Sequence, residues 1–178
     1  MGIIVHKDAF KGSKLQGISS PLAGVEAGGF ANCPNLKVVH FLGNEVYIGA
    51  YAFASSVKLE ALDFSNVKNR VVVGPRAFDN TNLKALNVPQ GVSLLLDDEA
   101  LYGMREVESI DLSAEYIGVR ALMQLPNLKE ATVRLVKPAG NSGVEVDPQA
   151  MFIDCRKLEK AKLEGFDKLA ASTFKNCE

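Results

Sequence analysis

With 178 residues, 47% of them hydrophobic, the chain is long enough for one domain with a substantial core and too apolar for disorder. Twenty basic residues against twenty-one acidic leave a net charge of −1, which removes the global attraction that nucleic acids and anionic membranes exploit. No apolar run approaches the length needed to span a bilayer, the longest being Val71-Val72-Val73 and Leu94-Leu95-Leu96.

Met1-Gly2-Ile3-Ile4-Val5 has no charged segment followed by a long apolar stretch, so these residues are not expected to form a signal peptide; they lead straight into the first of a series of similar units. Each unit carries a large apolar anchor: Phe10, Phe30, Phe53, Phe78, Leu101, Leu122, Phe152 and Phe174. The successive spacings are 20, 23, 25, 23, 21, 30 and 22 residues. A period in that range is the signature of a solenoid, in which each unit buries its apolar face only against its neighbours. Five positions before the anchor lies an aliphatic column, Val5, Val25, Ile48, Val73, Leu96, Ile117 and Leu169. The residue just before the anchor is small in Ala9, Gly29, Ala52, Ala77, Ala100 and Ala121, as close packing of adjacent coils requires. Two positions after it come Gly12, Asn32, Ser55, Asn80, Gly103, Gln124, Asp154 and Asn176, mostly residues that tolerate a left-handed backbone or end a helical turn. The anchor segment is therefore expected to be one or two helical turns ending there.

A strand follows. Its leading residue is Leu15, Leu36, Leu59, Leu83, Val107, Leu128 or Leu158, and apolar residues recur three and five positions later, as in Val39 and Phe41, Leu62 and Phe64, Leu86 and Val88, Ile110 and Leu112. The two-residue alternation is that of a half-buried strand, and stacked copies give a parallel sheet along one side. The position after the leading residue reads Lys37, Glu60, Lys84, Glu108, Lys129, Glu159, alternating in sign. With strands ~4.8 Å apart, each charge would stand between two of opposite sign and help fix register.

These units resemble the BspA-type leucine-rich repeats, which run as strand, Ile-Gly, two residues, Ala-Phe, two residues, Cys, two residues, Leu. Ile48-Gly49-Ala50-Tyr51-Ala52-Phe53 with Leu59, Ile117-Gly118-Val119-Arg120-Ala121-Leu122 with Leu128, and Phe30 to Leu36 carry the pattern. Leucine replaces phenylalanine at 101 and 122, and the seventh unit is longer. The resemblance implies a right-handed leucine-rich solenoid, with a parallel sheet on one face, short helical turns and loops on the other, and seven to eight repeats. It further implies a bacterial cell-surface or secreted protein acting in adhesion or protein binding, with no shared catalytic residues. The chain stops partway through a unit, at Phe174-Lys175-Asn176-Cys177-Glu178, and neither end resembles a cap. Residues 1–178 are thus expected to be a single solenoid domain, a fragment of a longer chain.

Chemistry is sparse. Cys33, Cys155 and Cys177 share the position three after the anchor, held elsewhere by Ser13, Ser56, Thr81, Met104 and Leu125. A slot with such occupants is a packing slot, and the cysteines are expected to be buried thiols. No Cys-Xaa-Xaa-Cys or histidine spacing supports zinc. His6 and His40, the two histidines, lack the context of a catalytic base, and no phosphate loop, dinucleotide fingerprint or nucleophile elbow is present. No enzyme activity, cofactor or metal is expected. Asp63 and Asp111 flank Asn87, but two repeats separate the carboxylates by ~10 Å, too far to share one calcium.

The surface expected to receive a protein or peptide consists of Val38, His40, Ala61, Asp63, Ala85, Asn87, Ser109 and Asp111, small side chains beside polar ones on the exposed strand face. The insertion Lys137-Pro138-Ala139-Gly140-Asn141-Ser142-Gly143 is the alternative. Expected partners are a protein or peptide, host or matrix proteins among them, and a second copy packed end to end; nucleic acid and direct membrane insertion are not expected. The competing reading is a purely structural spacer that presents other domains.

Overall fold

The computed structural model describes residues 2–137 and 149–177. The chain winds as a parallel β-solenoid whose nine strands are β1 (Ile3–Val5), β2 (Leu22–Val25), β3 (Val38–Ile48), β4 (Ala61–Val73), β5 (Ser93–Leu96), β6 (Ser109–Ala114), β7 (Tyr116–Ile117), β8 (Glu130–Leu135) and β9 (Lys160–Glu164). They form two sheets, one in the order β1-β2-β3-β4-β5-β7 and one in the order β6-β8-β9.

The expected strand is present after five of the leading residues, as β3, β4, β6, β8 and β9, with Val38 opposite Ala61, His40 opposite Asp63, and Asp111 opposite Thr132; after Leu15 it is reduced to an isolated bridge from Gly17 to Val38, and after Leu83 it is missing. The second sheet is an addition to the expected single one. It is built by the aliphatic column five residues before the anchor, which runs in unbroken register as Val5, Val25, Ile48, Val73, Leu96 and Ile117. All six are fully buried. In β3 and β4 the two strand segments merge, so each of these long strands serves both faces of the coil.

Two expectations are corrected. Among the described residues there is no helix, and the solenoid makes about six turns rather than seven to eight, the second-sheet strand occurring six times there. The anchor segment is instead a chain of hydrogen-bonded four-residue turns. Around Phe10, the amides of Ala9, Lys11 and Ser13 close turns onto the carbonyls of His6, Asp8 and Phe10, while the amides of Asp8, Phe10 and Gly12 donate to Ala27, Gly29 and Ala31 of the next coil. Alternate amides thus serve their own coil and the neighbouring one, which exhausts the donors and leaves none for a helical ladder.

This alternation requires a left-handed residue at two points per coil. The position two after the anchor is one of them, as expected, with Asn32 at φ 55°, Asn80 at 56° and Gln124 at 54°. The position two before it is the other, and it holds Asp8, Tyr51, Arg76, Glu99, Arg120 and Ala150 at φ between 51° and 59°. A positive φ at the third residue of such a turn is the type II arrangement. Non-glycine residues there carry strain of roughly 1 to 2 kcal/mol each, which the inter-coil bonds must offset.

Stacking along the axis follows from the constant rise. Phe10, Phe30, Phe53 and Phe78 form a column with ring centroids 5.2, 5.6 and 5.9 Å apart, and Phe152 stacks on Phe174 at 5.5 Å. Leu101 and Leu122 fill the intervening anchor positions and are equally buried. A second, shorter stack joins Phe41 to Phe64 at 5.0 Å, directly beneath the exposed side of β3 and β4. Toward the ends of the array Ile3, Ile4, Leu169 and Phe174 are exposed.

Candidate binding face

The eight residues expected to form a binding surface lie on the outward side of the strands that follow the leading residues. Val38 and Asp63 are half-buried, whereas His40, Ala61, Ala85, Asn87, Ser109 and Asp111 are exposed. The structure brings them together as two pieces rather than one. On β3 and β4, Val38 and His40 face Ala61 and Asp63 in register. On β6 stand Ser109 and Asp111, which face β8 on their other side.

Ala85 and Asn87 lie between these pieces, in a segment that is not a strand. Residues 82–88 have no main-chain hydrogen bond to either neighbouring coil, so the sheet lapses for one coil. Pro89 is the local cause that can be read from the chain: it offers no amide to a ladder, and Val92 N closes a turn onto its carbonyl. The lapse opens two adjoining clefts. One, of about 180 Å³, is bordered by Ala85, Asn87, Ser109 and Asp111 over a floor of Leu101, Met104 and Val107. The other, of about 470 Å³, lies between the Val88-to-Val92 bend and Leu112, Ser113 and Arg134.

Most polar side chains of the face are paired. His40 Nδ1 lies 2.9 Å from Asp63 Oδ2, and the Ser65 amide donates to Asp63 Oδ1 at 2.9 Å. Hydrogen bonds from Ser65 and then from His40 hold the Asp63 carboxyl down at about 2. Arg134 bridges two carboxylates, Asp111 at 2.5 Å and Glu164 at 3.2 Å, and this double contact raises its already high value further. Sequence reasoning did not include Arg134, because it lies one alternation beyond the two columns considered; its partner Asp111 was the available signal.

The alternating charge row is realised in part. Its backbone register holds where the amides of Glu60, Lys129 and Glu159 donate to the carbonyls of Lys37, Glu108 and Lys129. Lys129 Nζ contacts Glu108 at 3.1 Å, and this hydrogen bond, followed by the fields of Lys129, Lys157 and Lys84, lowers the Glu108 carboxyl. Lys84 falls in the unpaired segment, so the row loses its in-register step there. A further cross-strand pair, Lys160 with Glu130 at 2.8 Å, sits one residue along.

The three cysteines are free, with Cys33 and Cys155 fully buried and Cys177 half-buried. Their slot does more than pack. Cys33, Cys155 and Cys177 donate through Sγ to the anchor carbonyls of the preceding coils, Phe10, Leu122 and Phe152, at 3.0, 3.1 and 3.1 Å. Ser56 does the same to Phe30 at 2.6 Å and accepts from the Cys33 amide. Burial raises all three thiols, Cys155 to about 12. Among the described residues no three of His, Cys, Asp and Glu gather as a metal-binding set, and no helix is long and apolar enough to cross a membrane.

Of the alternative insertion, Lys137 is exposed and pairs with Asp167 at 3.3 Å, while residues 138–143 lie outside the described residues. No curated protein and no solved structure matches the chain. The family model for the BspA type leucine rich repeat region matches in six copies, over residues 3–129 and 68–178. With that match spanning the repeats, the paired glycine and anchor positions and the parallel solenoid they build, the chain belongs to the BspA-type leucine-rich repeat family.

Proposed function

We propose that this chain is a non-catalytic protein-binding module, and that it binds through the outward face carrying Val38, His40, Ala61, Asp63, Ala85, Asn87, Ser109 and Asp111. The observation that carries the reading is that four of these residues, Ala85, Asn87, Ser109 and Asp111, border a cleft in a face that is otherwise closed by parallel pairing. Recesses with an apolar floor and a few polar groups at the rim are where partners anchor. Membership of the family supports an interaction role and favours a surface-displayed or secreted bacterial protein that adheres to host or matrix proteins.

Simultaneous replacement of Asp63, Asn87 and Asp111 by alanine tests this. The triple variant should retain its circular dichroism spectrum and lose capture of matrix proteins from an extract that the unmodified chain captures. Capture that persists moves the site elsewhere. Under the spacer reading neither protein captures anything.

A further inference from the structure

The unpaired segment between β4 and β6 leaves more than a hollow. β6 has β8 as its one ladder partner, so the edge of β6 that faces residues 84–88 carries backbone amides and carbonyls with no strand to receive them. In a parallel ladder alternate residues point to opposite sides, so about half of the β6 backbone groups are directed into the cleft. The segment 82–88 on the opposite lip is unpaired as well. The floor between the lips is apolar, formed by Leu86, Met104, Val107, Ile110 and Leu112.

The gap is bounded along the strand direction. At one end the Asn80 amide donates to the Gly103 carbonyl at 3.2 Å, and at the other Glu115 N donates to Leu94 O at 2.8 Å. Between these two bonds no main-chain hydrogen bond joins the two coils. The shape selects the occupant. An exposed sheet edge pairs readily with another sheet, but an edge recessed between two coils of one solenoid is closed to a sheet by the coils themselves. That leaves a single extended segment, one strand wide, entering from the outer face. The cation at the rim, Arg134, is already held by Asp111 and Glu164, so it is not free to attract an acidic side chain, and the floor beside it is apolar. The larger lobe of the cleft, about 470 Å³, falls within the range of roughly 300 to 1,000 Å³ typical of ligand pockets.

We infer that this cleft binds an extended peptide segment of a partner protein, which adds backbone hydrogen bonds to the free edge of β6 and places an uncharged apolar side chain between Leu86 and Leu112. This rests on the proposed protein-binding role and names the chemistry of the partner. Strand addition gives affinity through the main chain and specificity through the pockets that receive alternate side chains.

The experiment uses the full chain and linear twelve-residue peptides selected from a random display library. The enriched peptides should share one or two large uncharged apolar residues, and hydrogen exchange of the complex should show protection of the Ser109, Asp111 and Ser113 amides, which alternate with those that β8 already occupies. Ala85→Trp, at an exposed residue on the cleft rim, should fill the entrance and weaken the selected peptides at least about tenfold, a loss of roughly 1.4 kcal/mol, with the melting temperature unchanged. Peptides that protect amides away from β6, or that bind the Ala85→Trp variant as tightly, overturn the inference, as does the absence of any enriched family. The proposed face is judged separately, by matrix capture with the Asp63, Asn87 and Asp111 triple variant. Capture lost in the triple variant and kept in Ala85→Trp leaves the face and removes the cleft.

Discussion

His40 and Asp63 meet across β3 and β4 with Nδ1 2.9 Å from Oδ2, so the polar column of the outward face is tied in register to the strands beneath it. Asp63 also accepts from the Ser65 amide, and the two sets of bonds lower its carboxyl from 3.8 to about 2. A depressed carboxylate contributes stability that is present above its unfolded value and lost as pH falls through its folded value. The unmodified chain should therefore lose melting temperature between about pH 4 and pH 2, and Asp63→Asn should flatten that part of the profile. Thermal melts of both proteins across this window decide it; parallel profiles would show that the pair contributes nothing to the fold.

Glu108 pairs with Lys129 in the sheet, and Lys84 and Lys157 also lower its carboxyl. Glu108→Lys places a cation among these three lysines. The expected result is a lower melting temperature at low salt and a smaller loss at high salt, since exposed charges are screened over about 10 Å at 0.1 M. Equal losses at both ionic strengths would assign the effect to packing.

Gly12 and Gly17 separate backbone strain from contact. Gly12 has φ 73°, and an added Cβ would meet nothing within 4 Å; Gly17 has no left-handed backbone, and an added Cβ would lie 3.8 Å from the Val38 carbonyl, an ordinary contact. Gly12→Ala should destabilise by about 1 kcal/mol through strain alone. Gly17→Ala should be neutral or stabilise by up to about 1 kcal/mol, by restricting the unfolded chain. Urea denaturation of the two variants measures the difference.

Cys155 is fully buried and donates to the Leu122 carbonyl. Because burial raises the thiol from 9 to about 12, the native state holds this proton more tightly than the unfolded chain. That contribution to stability is complete below the unfolded value and is lost as pH climbs from 9 toward 12. At neutral pH a thiolate-specific reagent should leave Cys33 and Cys155 unmodified until the protein is denatured, with the half-buried Cys177 the first to react. Cys155→Ser keeps a donor in a slot that serine already occupies at position 56, whereas Cys155→Ala strands the carbonyl at a cost of about 1 to 3 kcal/mol.

The buried columns were legible because burial repeats with the coil. Val39 with Phe41, Leu62 with Phe64, and the phenylalanine anchors could be assigned from spacing, and the turn residue two after the anchor could be assigned from its type. The second sheet was half legible: its inward column was identified, but strands of three or four residues such as Ile3–Val5 and Leu22–Val25 are too short to show alternation. The left-handed residues before the anchor were hidden because Tyr51, Arg76, Glu99 and Arg120 have no local preference for that conformation. Inter-coil bonds impose it, as where Tyr51 N donates to Pro75 O and Arg76 N to Glu99 O. The cleft was hidden for the opposite reason. Leu83-Lys84-Ala85-Leu86-Asn87-Val88 repeats the strand pattern of its neighbours, and only Pro89 departs from it.

The alternating bonds of the anchor segment also govern how such a chain can change in length. The bond from Phe10 N to Gly29 O has the same form as those from Phe30 N to Ala52 O and from Phe53 N to Ala77 O. A recombination event that joins equivalent positions of two coils therefore removes or inserts whole bonding periods and leaves no severed donor at the junction. A crossover at unequal positions would break the alternation on both sides. The gene is free to grow or shrink by one unit at a time, so array length is the property of this fold that natural variation can alter with least damage to the coils that remain.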